Sequence, residues 1–486
     1  MAIVIEAIKT LSKHSVIYGL GGVLNKLLAF VLLPIYTRYL TPADYGILSL
    51  LLVTGSVAFI IVQLGLGSAL FREVIYCETD EKVATSTALY FLVVQALVLF
   101  GGLVVFSSPL SVLIFNTTTY AYLLRLVFLT GLFQVIGVIF MARLRIREQA
   151  ALYSAFSVAW FLVGAGLNIY FIVILRQGVG GLITAGLIQA GLFAMIYLIF
   201  LIPDMRPVLA KPILRSMLLF GIPMVPAGLA DLVMVSADRY FLQHYFTTTE
   251  VGLYSLGYTI GMVMNLVVWS VQLAWPAQMF TIAKQPDAER QFSRILTYYV
   301  LVLGFFFLAL SLLARELLVV MTTPAFYGAA AIVPLVALSY LLYGVRYMTN
   351  TALPTRNKMQ YVPIIIIGTA LLNLGLNYLL IPSYGMMGAA WATAISYLTL
   401  AVVNTAINLH FWYIPYEYGR MAKVALAGVT VYGASHLVDT GNIWLNGGLK
   451  LVLLGLYPLI LFVYRFYNES EVATLKALIF KRDRGV

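Results

Sequence analysis

The 486-residue chain holds one cysteine, four histidines and nineteen acidic residues. A lone Cys77 excludes an internal disulfide framework. His14, His244, His410 and His436 are scattered with no partner at helical spacing, so no metal site and no cofactor is expected. No connection between apolar runs is longer than about a dozen residues, which leaves no room for a nucleotide-sugar domain, a phosphate-binding loop or a large external catalytic loop. Charge is scarce too: 10% of residues are charged against 62% hydrophobic, and no soluble fold of this length has that balance. The net charge of +11 does not point to nucleic acid, because most of the Lys and Arg lie in short connections, as topology signals do. The start, MAIVIEAIKTLSKHS, lacks a small-residue cleavage site and reads as a short amphipathic segment with Lys9 and Lys13.

What fills the chain is apolar runs long enough to span a bilayer, at about 20 residues each. Cut at charges, Pro/Gly turns and polar clusters, they give an all-α integral membrane protein of about fourteen helices. The first six cover roughly 15–40, 45–71, two helices within the charge-free run 83–124 and beyond, 149–175 and 178–202. The next six cover a seventh in the stretch 216–255, then 251–282, 295–313, 327–351 and two within 359–416, divided at Pro382, Ser383, Tyr384, Gly385. Two more follow, near 421–437 and 446–464.

The chain begins a second time. Asp44, Gly46, Ser49 and Leu50 recur as Glu250, Gly252, Ser255 and Leu256 at a spacing of 206 residues. Gly166 and Asn168 recur as Gly375 and Asn377, and Gly178 and Gly181 as Gly385 and Gly388, at nearly the same spacing. A six-plus-six duplication follows, with lobes at 1–212 and 213–412 and two additional helices plus a tail at 413–486. An even number of helices per unit gives both halves the same orientation, hence a symmetry axis along the membrane normal. The bases of the even-numbered connections place both termini in the cytoplasm. The tail from Glu469 reads as an interfacial helix on the same face.

The remaining functional signal is charge inside apolar runs, where an ion is costly and tends to mark a pathway. Lys26 falls near the middle of helix one, and Asp231 occupies the matching place in helix seven, 205 residues on. The two are expected to face each other across the pseudo-symmetric gap, as a structural ion pair or as a contact made and broken in transport. Asp231 and Asp238 are the candidates for coupling to a proton or sodium ion. Lys26, Arg125, Arg346, Arg239 and Arg72 are the candidates for a basic wall that holds a phosphate or pyrophosphate. Each has a plainer reading: Arg125 and Arg346 as snorkelling side chains, Asp238 and Arg239 as surface anchors, and the Gly-x-x-Gly pairs as helix packing.

Three runs carry a resemblance: LPIYTRYLTPADYGILSL (33–50), DRYFLQHYFTTTEVGLYSLGYTIG (238–261) and NYLLIPSYGMMGAAWATAISY (377–397). Over essentially the whole chain, in pattern rather than in one invariant motif, it resembles the polysaccharide-export family of lipid-linked oligosaccharide flippases. That family shares a superfamily with the multidrug and toxic-compound extrusion (MATE) transporters and the lipid II flippases. The resemblance implies a V-shaped, MATE-like protein of the bacterial inner membrane. It would move undecaprenyl-pyrophosphate-linked repeat units of O-antigen, capsule or exopolysaccharide, with membrane lipids and polysaccharide polymerase machinery as partners. Cavity residues vary within the family, so no site residue is carried over. Two rivals remain: a cation-coupled drug exporter of the same fold, whose cavity would be dominated by acids and apolar walls, and a membrane glycosyl polymerase, which would need a long external loop.

Overall fold

The computed structural model describes residue 30 and residues 32–438, 440–469 and 471, with the side chains at 273, 274 and 277 left aside. Lys26, the amphipathic start, most of helix one and the tail beyond Glu471 therefore lie outside the described residues. Every regular element among those described is helical.

The first helices are α1 (Leu33–Tyr39), α2 (Pro42–Gln63), α3 (Leu66–Ile75), α4 (Glu81–Val105), α5 (Ser107–Phe115), α6 (Ala121–Ile146), α7 (Ala150–Ile169) and α8 (Gly178–Leu201). Next come α9 (Lys211–Gly221), α10 (Met224–Ser236), α11 (Asp238–Tyr245) and α12 (Thr248–Gly261). The rest are α13 (Met264–Ile282), α14 (Ala288–Leu312), α15 (Ala314–Met321), α16 (Val333–Thr349), α17 (Ala352–Thr355), α18 (Tyr361–Phe411), α19 (Tyr418–Ser435) and α20 (Ile443–Val463). A 3-10 segment, Pro324–Ile332, leads into α16.

Ten helices among the described residues are long and apolar enough to cross a membrane, or eleven if Thr248–Gly261 and Met264–Gln272, bent by 44°, form one span. At 51 residues α18 would be about 77 Å long, far more than the roughly 30 Å of a hydrocarbon core, so its kink at Gly385 separates two crossings. The fourteen of the sequence reading further requires α19 and helix one.

Local chemistry sets the helix ends. Thr41 and Asp44 form a capping box, with the Asp44 N–H donating to the Thr41 hydroxyl and the Thr41 N–H donating to the Asp44 carboxylate, and Pro42 fits the first turn. Asp80 caps α4 by accepting from the Val83 N–H, which holds its carboxyl below the usual range. The Gly178 and Gly385 equivalence acquires a cause, since both adopt left-handed backbone, with φ of 58° and 53°. Gly178→Ala and Gly385→Ala are each expected to cost about 1–2 kcal/mol, read as a lower thermal unfolding midpoint in detergent.

The chain forms two compact units that do not follow the sequence halves. The first comprises residues 1–260, 321–332 and 360–396. Its central helix is α6, packed against α2, α3, α4, α5, α7 and α8. One end of this bundle is tied by charge. Glu81 accepts from Arg143 Nε at 2.8 Å and Arg147 Nε at 2.7 Å, while Asp204 pairs with Lys82 at 2.9 Å, Arg147 at 3.0 Å and Arg143. Bases read from the sequence as topology signals are thus also a clamp on the ends of α4, α6 and α8.

The second unit comprises, of the described residues, 261–320, 333–359 and those from 397 on. Leu308 and Leu312 of α14 pack with Val424 and Val431 of α19 and Leu454 and Tyr457 of α20. Lys450 of α20 and Glu316 of α15 add a mostly buried ion pair at 2.6 Å. Asn408 accepts from the backbone N–H groups of Ala352 and Leu353, which starts the short α17.

Candidate anion site at a pseudo-symmetric helix crossing

Within the first unit, α2 and α12 meet where the repeat is strongest. A Cβ on Gly46 would stand 1.9 Å from the Thr248 carbonyl oxygen, and one on Gly252 would stand 1.8 Å from the Pro42 carbonyl oxygen. Only glycine permits that approach. One turn on, Ser255 Oγ donates to Ser49 Oγ at 2.8 Å. Gly46 and Gly252, like Ser49 and Ser255, are equivalent positions of the repeat, and positions that meet their own equivalents lie on a two-fold axis. The duplication reappears as a contact.

Arg239 sits beside this crossing. Helices α10 and α11 meet at Ala237, whose backbone stays helical (φ −64°, ψ −31°), and Asp238 and Arg239 just beyond it are buried, at 2% and 7% exposure. Arg239 Nε donates to Ser49 Oγ at 3.1 Å and Ser255 Oγ at 3.2 Å, so one guanidinium bridges both repeats. Its Nη1 donates to the Val235 carbonyl at 2.6 Å and to Asp238 at 3.1 Å. The guanidinium lies 4.8 Å from the Tyr258 ring centre and 5.7 Å from that of Tyr254. The Tyr254 hydroxyl donates to the other oxygen of Asp238 and also faces Thr393.

Arg239 borders a cavity of about 230 Å³ whose wall includes Tyr45, Ser49, Ser56, Ser236 and Ser255. Arginine and hydroxyl groups are neutral or positive donors, and among the described residues no carboxylate lines this space. Such a space suits an anion with several oxygens, because the guanidinium fork matches phosphate geometry.

The other sequence candidates are spread out. Asp231 is exposed on α10. Its proposed counterpart Lys26 lies outside the described residues. Arg125 is exposed near the start of α6, where its Nε donates to the buried Ser107 hydroxyl at 2.8 Å. Arg72 lies 5.1 Å from the Phe220 ring and 5.8 Å from that of Tyr76. Arg346 belongs to the second unit, is 8% exposed, and has no hydrogen-bond partner for Nε among the described residues. Its backbone carbonyl accepts from Asn404.

Sequence reasoning missed Glu73, Ser49, Ser255 and Tyr254 as members of polar sites. Glu73 is buried at 5% and accepts from Ser216 Oγ at 2.7 Å and Thr79 Oγ1 at 3.1 Å. It went unseen because helix two was ended at Phe71, two residues short of it. Ser49 and Ser255 were noticed as repeated letters, which carry equivalence but not the location of the axis.

Known proteins bear on this geometry. A probable low-salt glycan biosynthesis flippase of Haloferax volcanii, Agl15, is 25% identical over 248 residues, or 48% of this chain. The match spans about half the length of that relative, 51%. Among solved structures, the lipid II flippase MurJ in an inward closed conformation superposes with a TM-score of 0.77, covering 93% of this chain and 99% of that one at 13% identity. An inward-facing multidrug resistance MATE family transporter follows at 0.60, covering 82% of this chain and 95% of that one at 16% identity. Both share the fold. The family model for polysaccharide biosynthesis proteins matches residues 11–275, more than half of the chain, so this multi-pass membrane protein belongs to that family.

Proposed function

We propose that the chain is a flippase for polyprenyl-pyrophosphate-linked oligosaccharides, moving repeat units of O-antigen, capsule or exopolysaccharide across the bacterial inner membrane on an undecaprenyl carrier. The observation that carries this reading is Arg239, a buried guanidinium at the meeting of the two repeats, bordering a serine-lined cavity. The pyrophosphate binds there while the lipid tail stays in the bilayer. Lys26, Arg346, Arg125 and Arg72 are the further candidate cations for the anionic group. The likeness to a glycan flippase and to the MurJ fold supports the assignment.

Transport runs by alternating access between a lobe of residues 1–212 and a lobe of 213–412, with both termini in the cytoplasm. The α2–α12 crossing closes the outer side. Asp238 and the pyrophosphate compete for Arg239. A proton or sodium ion on Asp238, aided by the oxygens of Tyr254 and Thr393, cancels the carboxylate and frees the guanidinium for the substrate. Asp231 serves as a second, exposed coupling group.

The test is reconstitution of the full chain in vesicles with a labelled polyprenyl-pyrophosphate disaccharide. Flux that responds to an imposed proton or sodium gradient is expected. Ethidium efflux without lipid movement would select the drug-exporter reading of the same fold instead, and lipid flux indifferent to both gradients would remove the coupling role of Asp238.

A further inference from the structure

Resting on the flippase reading, the structure also assigns a place to the sugar: we propose that a second cavity of the first unit is a subsite for a neutral glycosyl ring. This cavity, about 440 Å³, lies among α2, α6 and α8 and shares Leu52 and Ser56 with the wall of the Arg239 cavity. Leu52 and Ser56, one turn apart on α2, thus border both spaces, which makes them the place where a ligand with its pyrophosphate at Arg239 would enter the second.

The lining chemistry selects the group. Ser56 Oγ donates to the Leu52 carbonyl at 2.8 Å, and Thr130 Oγ1 donates to the Leu126 carbonyl at 2.8 Å. With their protons committed to their own helices, both hydroxyls present acceptor lone pairs to the cavity. Gln134 adds a carboxamide that can donate and accept. Two acceptors and one amide complement ligand hydroxyl groups, which donate and accept at once. Phe59 supplies an apolar face for the C–H side of a ring. Among the described residues no ionisable group lines the space, so a uronate or amino sugar would be desolvated there without a counter-charge. Substrate charge belongs at Arg239, and neutral hydroxyls belong at Ser56, Thr130 and Gln134.

Gly186 of α8 makes the idea testable. It lines the cavity, yet a Cβ built on it meets nothing within 4 Å, so a side chain there projects into open space rather than into packing. Replacing a mid-helix glycine also favours the helix. Gly186→Trp fills the subsite, Gly186→Ala is its small-volume control, and Gln134→Leu removes the amide without filling the space.

The probes are two lipids, an undecaprenyl pyrophosphate bearing one neutral hexose and the bare undecaprenyl pyrophosphate, with equilibrium binding measured on the detergent-solubilised full chain. The wild type is expected to prefer the hexose-bearing lipid by about tenfold, as two or three neutral hydrogen bonds supply. Gly186→Trp is expected to bring that preference close to one, Gln134→Leu to lower it to about two- to threefold by removing one of those hydrogen bonds, and Gly186→Ala to leave most of it. A wild-type preference of one, or a tenfold preference surviving in both variants, overturns the subsite while leaving the pyrophosphate site standing. Failure of the wild type to bind either lipid overturns the flippase reading, and the subsite with it.

Discussion

Arg239→Ala is expected to destabilise the protein by about 3–5 kcal/mol and to lower lipid flux to below a tenth of wild type. Asp238 is 2% exposed, and removing its guanidinium leaves a buried carboxylate whose main remaining donor is the Tyr254 hydroxyl. Ser49 and Ser255 lose their shared donor at the same time. Stability alone cannot separate a structural pair from a substrate site, because breaking either one destabilises. The double variant Asp238→Asn, Arg239→Met can, since two apolar or neutral groups of similar volume are tolerated where a half-broken pair is not. We expect it to regain most of the lost thermal midpoint in detergent while flux in vesicles stays low. Wild-type flux in the double variant would reduce the pair to scaffolding and end the anion role of Arg239. Arg239→Lys should fall between, with the charge kept and the fork lost.

How far this site could be read from sequence depended on what kind of information each residue carried. Asp238 and Arg239 stood out because ions in an apolar run are costly, and that rule needs no coordinates. Their partners did not stand out. Tyr254 is one of 32 tyrosines, which in a membrane chain read as interfacial belt until a buried carboxylate is seen against one. Arg125 and Arg346 carried the same signal as Arg239, yet one is exposed at a helix start and the other is buried in a different unit. Periodicity places a residue along a helix but leaves open which neighbour that helix meets. Helix positions themselves were legible: Gly178 and Gly385, repeat equivalents in the sequence, share a positive φ. The acids Glu81 and Asp204 escaped notice because orientation rules weigh only Lys and Arg, whereas the clamp needs both signs.

The repeat also yields the second large effect, a lock across the two-fold axis. Ser49→Cys with Ser255→Cys, in a Cys77→Ser background, puts two thiols where the hydroxyl oxygens stand 2.8 Å apart, and the longer C–S bonds bring the sulfurs nearer still, toward the roughly 2.05 Å of a disulfide. At the neighbouring turn, Gly46 and Gly252 admit no side chain, so the two backbones have no slack to slide while still in contact. In the cycle proposed above, opening the outer side parts α2 from α12 as rigid pieces, because packed helices switch between discrete arrangements more readily than they deform. Oxidation is therefore expected to reduce flux at least tenfold below that of the reduced double variant, which already lacks the two hydroxyls beside Arg239, and dithiothreitol to return it to that reduced level. Binding of the bare lipid pyrophosphate should persist in the oxidised form if the Arg239 cavity is reached from the opposite side. Flux undiminished in fully cross-linked protein would mean that this crossing stays shut throughout the cycle. The substrate would then have to leave by a route that does not separate the repeats, and alternating access about the Ser49–Ser255 axis would be wrong.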